Sequence, residues 1–338
     1  MPVMQQDDVS SAPVARGRGR FGGRAHEANL VTALSLVGAS VLLVASVSLD
    51  KHDFLSHQTL LAIAFTMSIS GTLAIGQSLV TISGGVLDLS VPASLIFPAF
   101  VCAQLTSAGF PPGAAVPLSI LTGMAWGLLN AVIIVAGRIN PIIVTLGTNF
   151  AGESVLLLLF NTASVPPRSG LATFGLGHAL LLPNTWWPMV AATLIAAFVL
   201  RRTRAGAHLV AAGGNPGAAR VRGISLRKVR FAVFLGSGAC AGLAGVLFAS
   251  ETGTFAPTDG DAFLLPVVAI VILAGIALRG GRGHPAMLLI SGAFLAIVPT
   301  ALVFFGLNPY WQQAFQGLIL VAAVSIDGQL QRRRRRQV

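Results

Sequence analysis

The chain predicts an all-α, polytopic integral membrane protein with about ten transmembrane helices and both termini cytoplasmic. Three observations predict it. Hydrophobic residues make up 54% of the 338, charged residues only 10%, and mean hydropathy is +0.79. Apolar stretches recur at the length, about 20 residues, that a hydrocarbon core demands of a helix. The basic residues fall into alternate gaps between those stretches, as retention of Lys and Arg on the cytoplasmic side requires.

Taken in order, the elements begin with a polar, Gly/Arg-rich stretch over 1–28 that contains Arg16-Gly-Arg-Gly-Arg20. Its composition predicts a disordered basic tail. The first apolar run, near 29–49, is longer than a signal-peptide core and lacks a small-x-small exit, so it reads as a retained span. Further spans follow near 57–83, 88–109, 113–136, 141–160, 185–200, 230–250, 264–278, 285–306 and 309–326. The sixth opens on Trp186 and Trp187 and the tenth on Tyr310 and Trp311, amphipathic rings that settle at headgroup level. Glycine and proline are frequent, which membrane helices tolerate when neighbours satisfy the freed backbone groups. The membrane domain therefore covers 29–328. Residues 329–338, with Arg332 to Arg336 in a row, form a basic C-terminal tail suited to anionic lipid at about 1 kcal/mol per residue.

With the N-terminus inside, all but two of the 22 basic residues fall on the cytoplasmic side. The exceptions, Lys51 and Arg168, lie outside with Asp50, Asp53, Glu251, Asp259 and Asp261. The net charge of +11 thus reads as topology. Scattered among loops rather than gathered on one soluble face, it gives no footing to nucleic acid.

The residues exclude most chemistry for this chain alone. A phosphate-binding Gly-x-x-x-x-Gly-Lys loop is absent, and the only lysines are Lys51 and Lys228. His26, His52, His57, His178, His208 and His284 form no metal-binding pair, and no Gly-x-Ser-x-Gly elbow occurs. Cys102 and Cys240 sit in apolar spans as small hydrophobes. No catalytic residue, metal site or cofactor is expected here.

Polar groups inside the spans are costly and mark either a pathway or a structural contact. Asp88, in Ser83-Gly-Gly-Val-Leu-Asp-Leu-Ser-Val-Pro92, follows paired glycines that would interrupt a helix. It either lines a translocation path or caps a helix beginning at Leu89. Glu153, Thr145 and Asn149 share the fifth span with Thr148 and Gly152, and Gln77 and Asn130 are comparable. Each is a pathway candidate, with interhelical hydrogen bonding as the alternative. Gly123-x-x-x-Gly127, Gly238-x-x-x-Gly242 and Ala241-x-x-x-Gly245 predict close helix packing.

A basic polar island from Arg201 to Arg230 separates the sixth and seventh spans, and its Ala-rich segments bounded by glycine predict short protruding helices that dock a soluble partner. Here the chain resembles a known family. Ser83 to Pro92 is similar to Gly-Gly-Ile-Asp-Leu-Ser-Val-Gly, and Asn140-Pro-Ile-Ile-Val-Thr-Leu-Gly-Thr148 to Pro-Phe-Ile-Val-Thr-Leu-Gly-Thr. Arg202-Thr-Arg-Ala-Gly206 with Ala211-Ala-Gly-Gly-Asn-Pro-Gly-Ala-Ala-Arg-Val-Arg-Gly-Ile224 resembles Arg-Thr-x-x-Gly followed by Ala-x-Gly-Gly-Asn-x-x-Ala-Ala-x-x-x-Gly-Ile. Leu273-Ala-Gly-Ile-Ala-Leu-Arg-Gly-Gly-Arg-Gly283 resembles Gly-Gly-Thr-Ser-Leu-x-Gly-Gly-x-Gly. In this order they resemble the permease subunits of ABC sugar importers of the ribose/xylose/galactose type, related to branched-chain amino-acid permeases.

That resemblance implies a monosaccharide permease of the bacterial cytoplasmic (inner) membrane. It implies a separate ATP-binding cassette subunit that binds the ATP, an extracytoplasmic solute-binding protein and a second permease chain. Asn215, Ala218, Ala219 and Gly223 match the family's coupling helix, a small-residue ridge seated in the ATPase subunit, although Gly217 replaces its acid. Other departures are Val86 and Pro92 for glycines, Glu153-Ser154 for Arg-Gly, Pro266 for an acid and Ala274 for glycine. They leave two alternatives open. One is an ion-gradient-driven secondary transporter using Asp88 and Glu153, and the other a related permease for a branched-chain amino acid or nucleoside.

Overall fold

The computed structural model describes residues 20–84, 87–160, 170–252, 254–308 and 310–335. Gly85, Val86, Arg168, Arg336 and the N-terminal Arg16 and Arg18 lie outside them. The helices are α1 (Arg20–Asp50), α2 (His57–Gly84), α3 (Val91–Ser107), α4 (Pro112–Gly137), α5 (Pro141–Leu159), α6 (Gly170–Leu176), α7 (Trp186–Arg202), α8 (Arg204–Gly214), α9 (Pro216–Val221), α10 (Leu226–Glu251), α11 (Leu264–Leu273), α12 (Met287–Phe304) and α13 (Tyr310–Arg335). The described strands, β1 (His178–Ala179) and β2 (Leu182–Pro183), pair as one antiparallel hairpin beside an otherwise helical bundle.

Each of the ten predicted segments holds a helix, and among the described residues six helices are long and apolar enough to cross a membrane: α1, α2, α4, α5, α10 and α12. The others are short, with 17 residues in α3 and in α7 and 10 in α11, or, in α13, arginine-rich at the end. At 1.5 Å per residue α11 covers about 15 Å, half a hydrocarbon core. A 3-10 segment, Pro257–Phe263, directly precedes it. Helix α1 begins at Arg20, within the stretch expected to be tail, and α13 runs on to Arg335. Once a helix is nucleated, extending it costs little, and arginines in a final turn complement its dipole.

The bundle is organised on α10, which packs against α2, α3 and α4. Missing side chains make this possible, as the four-residue spacing of small residues predicts. A Cβ on Gly123 would lie 2.6 Å from the Gly242 nitrogen, and one on Gly242 2.7 Å from the Ile120 Cα. One on Gly245 would lie 2.6 Å from the Leu95 carbonyl oxygen of α3. By contrast α1 is peripheral, touching α12 and the His52–Leu55 turn and leaving Leu34, Val41 and Leu42 exposed.

Candidate functional site

Over 87–90, just before α3, the chain is not helical and Asp88 and Ser90 are buried in the bundle, so the amides that lead into α3 need partners other than water. Side chains of α5, of α2 and of the segment itself supply them. The Leu89 N–H donates to Thr145 Oγ1 at 3.0 Å, and the Ala93 N–H to Asn149 Oδ1 at 3.0 Å. The Ser90 N–H and hydroxyl both donate to Asp88 Oδ1, at 2.9 and 2.6 Å. Asn130 Nδ2 donates to Ser90 Oγ at 2.8 Å, and its Oδ1 accepts from Thr148 Oγ1 at 2.7 Å. Gln77 of α2, with its amide set to satisfy both partners, accepts from the Asp88 N–H at 2.9 Å and donates to the Asp88 carbonyl at 3.2 Å.

Five of the six pathway candidates therefore converge on one segment. Gln77, Asn130 and Thr145 are fully buried, and Asp88 and Asn149 nearly so. Asp88 does not cap a helix at Leu89: α3 starts at Val91 with Ser90 as its N-cap, and Asp88 holds Ser90 in place. Glu153 stands apart, half-buried and within Coulombic reach of Asp261. Thr145 and Asn149 reach the break because α5 comes close there, where a Cβ on Gly152 would meet Ala93 and Trp126. Sequence reasoning missed Ser90 as a member of this brace, whereas Thr148, named there beside Thr145 and Asn149, makes the interhelical bond that was the alternative to a pathway role. The signal for Ser90 was position, two residues beyond Asp88.

The basic island forms a helical hairpin. The Thr203 hydroxyl caps α8 by accepting from the Gly206 N–H at 3.1 Å, and Asn215 caps α9 by accepting from the Ala218 N–H at 3.0 Å. Gly223, at φ +80°, ends α9. Its N–H donates to the Arg220 carbonyl at 2.9 Å and the Ile224 N–H to the Ala219 carbonyl at 3.0 Å, a Schellman stop that needs a left-handed residue. The predicted ridge divides accordingly: Ala218 faces out, Ala219 is 3% exposed against the chain's own core, and Gly223 turns the backbone. An i, i+1 pair cannot share a helix face. The apolar side chain that does protrude is Val221, 90% exposed between Arg220 and Arg222. A lone valine among arginines was its only sequence signal.

A glycine junction joins the hairpin to the break. A Cβ on Gly213, near the end of α8, would strike the Ile82 carbonyl of α2 and lie 2.6 Å from the Gly281 nitrogen. The Gly281 N–H donates to that same carbonyl at 2.7 Å, and Gly281 has φ +77°. Three main chains thus meet without side chains two residues before α2 ends. The four motif segments come together here. Those near 83, 211 and 281 meet at the junction and its neighbour Ser83, and the one at 140–148 braces the break.

Where α4 turns into α5 beside the start of α10, a cavity of about 760 Å³ is lined in part by Arg138, Arg227 and Arg230. Among the described residues the one ion pair is Lys51 with Asp50, at 3.3 Å, so these arginines have no acidic partner there. Nor do three His, Cys, Asp or Glu side chains gather there to hold a metal.

Residues 59–324 match the family described as "Branched-chain amino acid transport system / permease component". The chain is 30% identical over 300 residues to the ribose import permease protein RbsC of Escherichia coli (strain K12), covering 87% of this chain and 92% of that one. It is 31% identical over 292 residues to RbsC of Bacillus subtilis (strain 168), covering 85% and 89%. It is also 28% identical over 338 residues to the L-arabinose ABC transporter permease protein AraH of Azospirillum brasilense, covering 99% and 98%. No solved structure matches the chain.

Proposed function

Because the chain belongs to the branched-chain amino acid transport system / permease component family, we propose that it is the transmembrane permease subunit of an ABC importer that moves a monosaccharide across the cytoplasmic membrane. Its sugar-importing relatives, named for ribose, L-arabinose, D-allose and fructose, support the solute class. In this reading residues 29–328 form the permease domain, crossing ten times with both termini cytoplasmic. The short α11 reaches across with the help of the preceding 3-10 segment, whose seven residues add about 14 Å. An ATP-binding cassette subunit binds the ATP, a solute-binding protein delivers the sugar outside, and a second permease chain completes the transporter.

The single observation that carries the mechanism is the main-chain contact of Gly213 with Ile82. An ATPase subunit gripping α9 through Val221 and Ala218 would move α8 with it, because Asn215 joins the two helices without a flexible linker. Side-chain-free contact leaves no slack, so the motion passes to the end of α2. Gln77 lies five residues back along α2 and holds Asp88, so the braced break moves too.

Uptake of labelled pentoses, hexoses and leucine, with and without the gene, tests the reading when repeated after ATP depletion with the ion gradient preserved. We expect ATP-dependent uptake of one sugar. Uptake that ignores ATP and follows the ion gradient would make the chain a secondary carrier, with the buried Asp88 as its ion site.

A further inference from the structure

One cavity belongs neither to the break nor to the hairpin. It encloses about 360 Å³ among α2, α11, α12 and α13. Its polar lining comes from Thr66 and Ser70 of α2, Thr300 of α12, and Gln312 and Gln316 of α13, with Phe263 as an aromatic wall. All of these residues but Ser70, which is half-way along α2, sit toward the same end of the bundle, where α2, α11 and α13 begin and α12 ends. In the proposed topology that end faces outward, opposite the hairpin.

Two features need explanation. Gln312 and Gln316 lie one turn apart on one face of α13, both half-buried, and among the described residues neither amide has a hydrogen-bond partner, which leaves both free to bind a solute. Pro299, inside α12, lacks the N–H that would bond the Leu295 carbonyl one turn back, and both residues line the cavity. The cavity thus combines free amide donors and acceptors, hydroxyls, a spare carbonyl and a ring face, yet among the described residues no charged side chain lines it. Its volume is at the lower end of small-molecule sites.

We infer that this cavity is an outward-facing binding site for a neutral polyhydroxylated solute of pentose or hexose size, held by the amides of Gln312 and Gln316. Ring hydroxyls both donate and accept, which matches amides and hydroxyls. A zwitterionic amino acid would bury two charges against walls that offer no counter-charge, so the same lining discriminates against it. This deepens the importer reading and rests on it for direction of approach only.

The test is saturation-transfer NMR on the purified permease in lipid nanodiscs with D-ribose, L-arabinose and leucine as probes, comparing wild type with Gln312→Leu and Gln316→Leu. Leucine side chains suit a membrane helix, and retained thermal unfolding would confirm intact fold. We expect transfer to a sugar but not to leucine, reduced about tenfold by each variant, the scale of one neutral hydrogen bond in a dry site. Gln316→Asn should restore part of the signal. Transfer equal in wild type and variants, no transfer to either sugar, or transfer to leucine instead would each overturn the assignment. None of these results depends on ATP, so failure here is separable from failure of the uptake experiment.

Discussion

At the α2–α3 break the polar groups turn inward and answer one another: Asp88, Ser90, Asn130, Thr145 and Asn149 bond one another or the amides of Leu89 and Ala93 at 2.6–3.0 Å. At the α8–α9 hairpin the polar groups face out, and Arg220, Arg222, Arg227 and Arg230 have no acidic partner among the described residues. Both regions are polar islands in an apolar chain, yet burial gives them opposite tasks. Inside, an unsatisfied amide costs more than any single bond returns, so polarity there fixes one backbone path. Outside, water answers each charge, so polarity and the bare Val221 remain available to another molecule. The glycine junction is where the two regimes touch.

Severing that junction is the strongest way to break the comparison. In Gly213→Val the new Cβ runs into the Ile82 carbonyl and the Gly281 main chain, which have no side chain to move aside. Overpacking against backbone should cost about 3 kcal/mol, and the misplaced hairpin should remove transport altogether. Unfolding of the purified permease and sugar uptake, read together, check this. Normal uptake in that variant would show that the hairpin does not act through α2.

Within the break, magnitudes separate two replacements that look alike on paper. Gln77→Leu strips partners from both the Asp88 N–H and carbonyl, and should cost about 2–4 kcal/mol. Asn130→Leu should cost only about 1 kcal/mol, because the Ser90 hydroxyl still donates to Asp88 and Thr148 still donates to the Thr145 carbonyl at 3.1 Å. Paired denaturation curves that place Asn130→Leu below Gln77→Leu in stability would overturn this ordering of the brace.

Legibility in the sequence followed the same divide. Apolar length and period located a helix in each predicted segment, and the glycine spacing of 123, 127, 238 and 242 predicted close packing, because both depend on local composition, but that α4 and α10 are the partners came only from the structure. Of the six side chains singled out inside the spans, five hydrogen-bond at the break, the alternative already weighed against a pathway, but their partners were hidden. Whether Asn130 meets Ser90, forty residues away, is fixed by how helices cross, which no local pattern records. On α9 the matched motif pointed to Ala218 and Ala219 alike. Only the helix's docking on the core decides that Ala219 is inside and Val221 outside. Gln312 and Gln316 were passed over within a span that reads as apolar, although their four-residue spacing was the available signal.

Val221 gives the smallest stability effect and the sharpest test of the contrast. Its side chain is 90% exposed and touches little of its own protein, so Val221→Ser should shift unfolding by less than about 0.5 kcal/mol. If α9 is gripped by an ATPase subunit, the same change removes an apolar anchor from the centre of that contact, where a few buried groups carry most of the affinity. Uptake should then fall about tenfold with the permease present in the membrane at its normal level. Ala219→Ser, two residues back and facing inward, should do the reverse, costing about 1 kcal/mol of stability with coupling largely kept. If Val221→Ser and Ala219→Ser lower uptake equally at equal stability, the outward face of α9 carries no special contact, and the division between a braced interior and an open docking surface fails at the hairpin.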